Sequence, residues 1–126
     1  MNNYIYLYLL AISFCFSNNI IHEKVASVPY GTTISIKAFL NSPKSQVHRF
    51  TLLYRSKGNS QFIEKDMKLM AKNMYISEIP GSFVIRDGIE YYLLLEFTNG
   101  ANEYFPSRYN DKKFISIKID DVLGKS

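Results

Sequence analysis

The chain has no tryptophan, a single cysteine (Cys15), two histidines, four prolines and six glycines among its 126 residues. One cysteine cannot close an internal disulfide, so any stable fold must rest on packing alone. His22 and His48 are too few to assemble a zinc site, because a closed site takes four ligands and no second thiol is present to supplement them. Neither a glycine-rich phosphate loop nor a nucleophile elbow occurs. No segment has the spacing of an amphipathic helix. The nearest, residues 68–74 (KLMAKNM), is too short and poorly spaced. Basic clustering is absent as well. Fifteen Lys and Arg residues face eleven Asp and Glu residues, the net charge is +4, and no basic run exceeds Lys112-Lys113. A nucleic-acid footprint would be concentrated on one stripe, so a nucleic-acid partner is not expected.

What the chain does have begins with residues 4–16 (YIYLYLLAISFCF), a continuous apolar run. Thirteen residues are too few to span a bilayer, and their length suits the hydrophobic region of a secretory signal. Cys15 and Ser17 are small enough to precede a cut near Ser17/Asn18, although residues 1–3 carry no positive charge. The reading is a signal peptide over residues 1–17 and one domain over 18–126, with a buried first strand or an uncleaved anchor as alternatives. Cleavage would remove the only cysteine. A cysteine-free domain bound for an oxidising compartment points to a bacterial envelope: secreted, periplasmic or attached to the cell surface, with no transmembrane span in the mature chain. All formal charge lies after residue 17.

The rest of the chain is a series of short alternating segments. The longest unbroken one is 88–100 (GIEYYLLLEFTNG), with Tyr91, Leu93, Leu95 and Phe97 on one parity and Glu90, Tyr92, Leu94 and Glu96 on the other. Period-two segregation of this kind predicts a central strand with one face in a core. The terminal glycines free the chain to turn. Residues 33–40 alternate in the same way, placing Ile34, Ile36, Ala38 and Leu40 inward. Residues 47–55 place Phe50, Leu52 and Tyr54 inward, and 114–119 place Ile115, Ile117 and Ile119 inward. A weaker strand is expected at 20–28. Another at 61–68 has Phe62 and Met67 as its apolar contacts and a parity break between them that predicts a bulge or bend. A further strand at 74–79 sets Tyr75 and Ile79 around Ser77, before Pro80-Gly81 ends it. Seven short strands and no helix predict an all-β, seven-stranded antiparallel sandwich, with a five-stranded oligonucleotide-binding barrel as the alternative.

One order of features is more specific. It runs Phe50-Thr51-Leu52-Leu53-Tyr54-Arg55, Gly58, Phe62, Met67, Met74-Tyr75, Ile79-Pro80, Gly88-Ile89-Glu90-Tyr91-Tyr92 and Asn99-Gly100. This resembles the immunoglobulin-like or fibronectin-type-III-like modules of exported bacterial proteins. The likeness covers about half of the chain, and nearly all of residues 18–126 once the flanking strands are counted. Two positions depart from the family's habit. Phe97-Thr98-Asn99 lacks its aspartate, and Ser77 stands where a small apolar residue is usual. The resemblance implies a non-catalytic interaction or structural module, commonly one of several domains, and it transfers no catalytic residue. One of the paired tyrosines at the start of the 88–100 strand suits a tyrosine-corner role, its phenol buried and bonded to nearby backbone.

No catalytic constellation can be assembled from the remaining residues. Glu90 and Glu96 share a face but stand about 20 Å apart along an extended strand, too far to act as a pair. Both histidines read as surface or edge residues. The segment that invites a binding hypothesis is 99–113 (NGANEYFPSRYNDKK), the longest irregular piece, expected at one end of the sandwich. Its candidate binding residues are Asn102, Tyr104, Phe105, Arg108 and Tyr109, since rigid aromatics with Ser, Asn and Arg are what recognition loops use. The plainer reading is that Tyr104 and Phe105 cap the core. The expected function is a protein-interaction or structural module of a secreted or envelope protein, in the position of a front domain of a larger chain. The alternative is a carbohydrate-binding module using Tyr92, Tyr104 and Tyr109. No cofactor and no metal are expected.

Overall fold

The computed structural model describes residues 19–85 and 87–120. The expected signal peptide, Cys15 and the last six residues lie outside the described residues. Ten strands form: β1 (Ile20–His22), β2 (Ser27–Pro29), β3 (Ile34–Leu40), β4 (Val47–Ser56), β5 (Ile63–Asp66), β6 (Lys68–Ala71), β7 (Met74–Ile79), β8 (Ile89–Phe97), β9 (Asn102–Phe105) and β10 (Ile115–Asp120). The only helical pieces among the described residues are two 3₁₀ turns, Lys44–Gln46 and Gly81–Phe83. No helix among them is long and apolar enough to cross a membrane.

The strands make two sheets. The smaller has the order β1-β3-β7-β6, and the larger β2-β10-β8-β4-β5, with β9 beside β8. Every pairing is antiparallel except β2 with β10. The alternation read from the sequence decides which faces meet. Ile34, Ile36, Ala38 and Leu40 of the smaller sheet and Leu52, Tyr91, Leu93 and Leu95 of the larger are buried in one cluster. Two inward faces sharing a core make a β-sandwich. Phe50 of β4 stands edge-on to Tyr75 of β7 across that core, with ring centroids 5.3 Å apart, a geometry worth about 0.5–1.5 kcal/mol beyond burial alone.

Seven strands were expected and three more appear, for two reasons. Residues 20–28 and 61–68 each read as one weak strand, and each instead crosses from one sheet to the other. β1 pairs with β3 and β2 with β10, while β5 pairs with β4 and β6 with β7. Met67 sits at the second crossing, buried, its N–H bonded to the Phe50 carbonyl at 2.9 Å. The parity break before Met67 is therefore a corner of the sandwich. The third additional strand, β9, lies inside the segment read as irregular.

β8 is the centre of the larger sheet, hydrogen-bonded to β4 along one edge and to β9 and β10 along the other. Gly88 and Gly100 bracket it with φ near +92°, a region that side chains with a Cβ disfavour. On the smaller sheet the outer face carries an apolar row across all four strands. Ile21 stands opposite Phe39, Phe39 opposite Met74, and Met74 opposite Ala71.

Candidate functional site

The segment 99–113 is neither wholly irregular nor at the end of the sandwich. After the turn at Gly100 the chain returns along β8 as β9, pairing Asn102 with Glu96 and Phe105 with Leu93. It then leaves the sheet and rejoins β8 as β10, where Ile115 stands opposite Tyr91. Residues 106–114 are thus a nine-residue excursion from what would otherwise be one last strand. It opens beside Tyr92, midway along β8. The sequence could not show this, because the alternation on both sides of the gap is compatible with one loop.

Strand alternation sorts the candidate residues. Tyr104 faces outward beside Tyr92, their ring centroids 6.1 Å apart. The Arg108 guanidinium lies over the Tyr104 ring at 3.8 Å and forms no ion pair among the described residues. Lys113 closes the excursion on itself, its Nζ donating to the carbonyls of Arg108 and Asn110. Ser107 helps from within, its hydroxyl oxygen accepting the Tyr109 N–H at 3.2 Å. Tyr109 is 97% exposed.

Two recesses flank the Tyr104–Arg108 stack. One, of about 250 Å³, is lined by Phe62, Tyr92, Tyr104, Pro106, Arg108, Lys113 and Phe114. The other, of about 550 Å³, holds Asn102, Tyr104, Arg108 and Tyr109 together with Phe97, Glu103 and Ser107. Four of the five candidate residues therefore meet around one feature. Phe105 does not. Its side chain is half-buried against the core, edge-on to His22 at 5.5 Å.

Sequence reasoning missed Phe62, Phe114, Arg55 and Lys113. Phe62 was read as an apolar contact of its strand, and the crossing between sheets turns it to the outer face. There it meets Tyr92 at 5.0 Å and Phe114 at 5.2 Å. Arg55 lies over both Phe rings, at 4.3 and 4.7 Å, and pairs with Glu90 at 2.9 Å. This second guanidinium is satisfied. Arg108 likewise has a ring beneath it and differs in having no acid beside it among the described residues.

Behind the same strands lies a second polar group. Tyr91 is fully buried, and its hydroxyl lies 2.6 Å from His22 Nε2. His22 Nδ1 lies 2.6 Å from the Lys37 carbonyl. A carbonyl only accepts, so Nδ1 carries the proton, and the Tyr91 O–H donates to the bare Nε2. The Tyr91 oxygen in turn accepts the Val25 N–H at 3.4 Å. A buried phenol bonded to backbone was expected, but the backbone partner is distant in sequence, on the segment joining β1 to β2. His22, expected at the surface or an edge, lies on β1 at the edge of the smaller sheet, half-buried and bonded at both nitrogens; His48 is exposed. Burial lowers the His22 pKa, against the opposing pull of the Lys37 carbonyl. Burial also pushes the Tyr91 phenol up to about 12, the Val25 N–H opposing it.

Glu103 also does structural work. Its carboxylate accepts the Asn19 N–H at 2.7 Å, the Asn19 side-chain amide at 2.9 Å and the Ile20 N–H at 3.2 Å. Among the described residues no group of three or more His, Cys, Asp or Glu could hold a metal ion. A scan against protein-family models finds no match to this chain, and a search of curated proteins finds no similar sequence.

Proposed function

We propose that this chain is a non-catalytic recognition module of a secreted or cell-envelope protein, built on an immunoglobulin-like or fibronectin-type-III-like sandwich and contacting its partner through the 106–114 excursion. The order β1-β3-β7-β6 facing β10-β8-β4 has the form of the A-B-E-D and G-F-C sheets of immunoglobulin-type domains. That agreement supports the resemblance carried by the sequence. The single observation behind recognition is the excursion itself. Nine residues leave an otherwise regular strand pair in mid-sheet, are held by Lys113 and Ser107, and present Arg108 and Tyr109 to solvent. A rigid scaffold that displays an ordered loop is the usual way such folds carry function.

On this reading the partner is a protein or a further domain of the same assembly. Placing a photo-crosslinking residue at Tyr109, in the full chain in its native compartment, tests this. Crosslinks should exceed those from a control at exposed Met70 on the other sheet by more than the difference in exposure, 97% against 62%, and should vanish when residues 107–112 are replaced by two glycines. Equal yield from both positions, or yield unchanged by the shortened loop, would refute it. A second reading, carbohydrate binding, is favoured by one observation: Tyr92 and Tyr104, two of the three tyrosines proposed for stacking, line a single recess.

A further inference from the structure

We infer that the Tyr104–Arg108 stack is a subsite for an acidic sugar unit, so that the ligand is a polysaccharide carrying ring carboxylates. The inference rests on the carbohydrate reading and deepens it. The smaller recess is lined by four aromatic rings with Arg108 and Lys113, and among the described residues no carboxylate lines it. Its volume of about 250 Å³ lies just under the ~300–1,000 Å³ of pockets for drug-sized ligands, which suits one six-membered ring. Arg108 is the group that selects. Stacking on Tyr104 fixes the plane of its guanidinium and leaves the N–H edge free, the geometry that meets a carboxylate with two parallel hydrogen bonds. Among the described residues no acid pairs with that guanidinium.

The larger recess shares Tyr104 and Arg108 with the smaller one, so a polymer crossing the stack would set neighbouring units in the two. Asn102 offers an amide with no hydrogen-bond partner among the described residues, and Ser107 and Tyr109 offer hydroxyls, groups that pair with sugar hydroxyls. Glu103 is the one carboxylate in either lining, and both its oxygens are already engaged by Asn19 and Ile20. An acidic protein surface would also meet Arg108. Protein interfaces, however, want a broad apolar centre, and here the four rings line a recess of only about 250 Å³, while the more exposed apolar residues Ile21, Phe39 and Met70 lie on the other sheet.

The test is calorimetric titration of the full chain with an oligogalacturonate, its methyl ester, a neutral oligoglucoside and a polyglutamate peptide. The acidic oligosaccharide should bind at least about tenfold more tightly than its ester, a difference of about 1.4 kcal/mol. Arg108→Ala should remove that preference, and Arg108→Lys should restore part of it, with thermal midpoints showing that both variants fold. Equal binding of acid and ester overturns the acidic subsite but spares the carbohydrate reading. Binding to no saccharide overturns both. Polyglutamate binding as tightly as the oligogalacturonate overturns the choice of a sugar.

Discussion

Two neighbouring pairs of aromatics on β8 and β9 have opposite fates. Tyr91 and Phe105 point inward, where they meet His22 in a buried hydrogen-bonded cluster. Tyr92 and Tyr104, each one residue away, point outward and meet Arg108 beside an open recess. Composition is nearly the same on the two faces: rings, one phenol or more, and one nitrogen base. What differs is satisfaction. Inside, the phenol and both imidazole nitrogens have partners at 2.6 Å, because an unpaired polar group there would cost about 1–3 kcal/mol. Outside, Arg108 can stand without an acid because water serves it. Burial turns a tyrosine into a structural tie, and exposure leaves its neighbour free to bind.

The largest expected effect comes from breaking the inner member. Tyr91→Ala removes a fully buried ring and the tie to His22 and Val25, and should destabilise the fold by about 3–5 kcal/mol. Tyr92→Ala removes a half-buried ring from the outer face and should cost about 1–2 kcal/mol. Urea unfolding of both variants measures the gap. Equal losses would mean that the two faces are not divided as described.

Acid should act on the inner cluster through His22. The folded His22 pKa is held below its ordinary 6.5, chiefly by burial, with the Lys37 carbonyl and Glu23 opposing and Lys24 reinforcing. The unfolded chain therefore takes up this proton first. The stability conferred by a neutral His22 is fully present above about pH 6.5 and is lost as pH falls toward the depressed folded value. Thermal midpoints of the wild type should decline between pH 7.5 and 5, and His22→Gln should flatten that decline. Parallel slopes for the two proteins would show that the proton goes elsewhere.

How much of this was legible in the sequence follows from the same alternation. Period two marked the inward faces of β3, β8 and β10, with Ile119 only half-buried at the end of β10, because burial of one face is a local property of a strand. It also assigned Tyr75, Ser77 and Ile79 to one face, and all three are buried. It could not say which sheet a strand joins. Residues 20–28 and 61–68 cross between sheets, and that is set by pairing with β3, β10, β4 and β7, all distant in sequence. The candidate site was legible as a composition, and four of its five residues do converge. Phe105 follows the plainer reading and packs against the core, because in a strand the neighbour of an outward Tyr104 must turn inward. Phe62 and Phe114 were invisible as site residues because they reach Tyr92 from opposite sides of β8, one ahead of β5 and the other ahead of β10.

The smallest effect is the most informative about the outer face. A guanidinium stacked on an exposed ring contributes about 0.5–1 kcal/mol at most, and Arg108 has no ion pair to lose. Arg108→Ala should therefore lower the unfolding free energy, read from urea titration, by no more than about 1 kcal/mol. Arg55→Ala is the matched control. It removes the other stacked guanidinium, which is paired to Glu90 and under one-fifth exposed, and it should cost clearly more. If Arg108→Ala proved as damaging as Arg55→Ala, Arg108 would be holding the excursion together and would not be free to meet a ligand. If it proved nearly silent, an ordered cation that does so little for stability would need another use, and the open recesses on either side of it are where that use would lie.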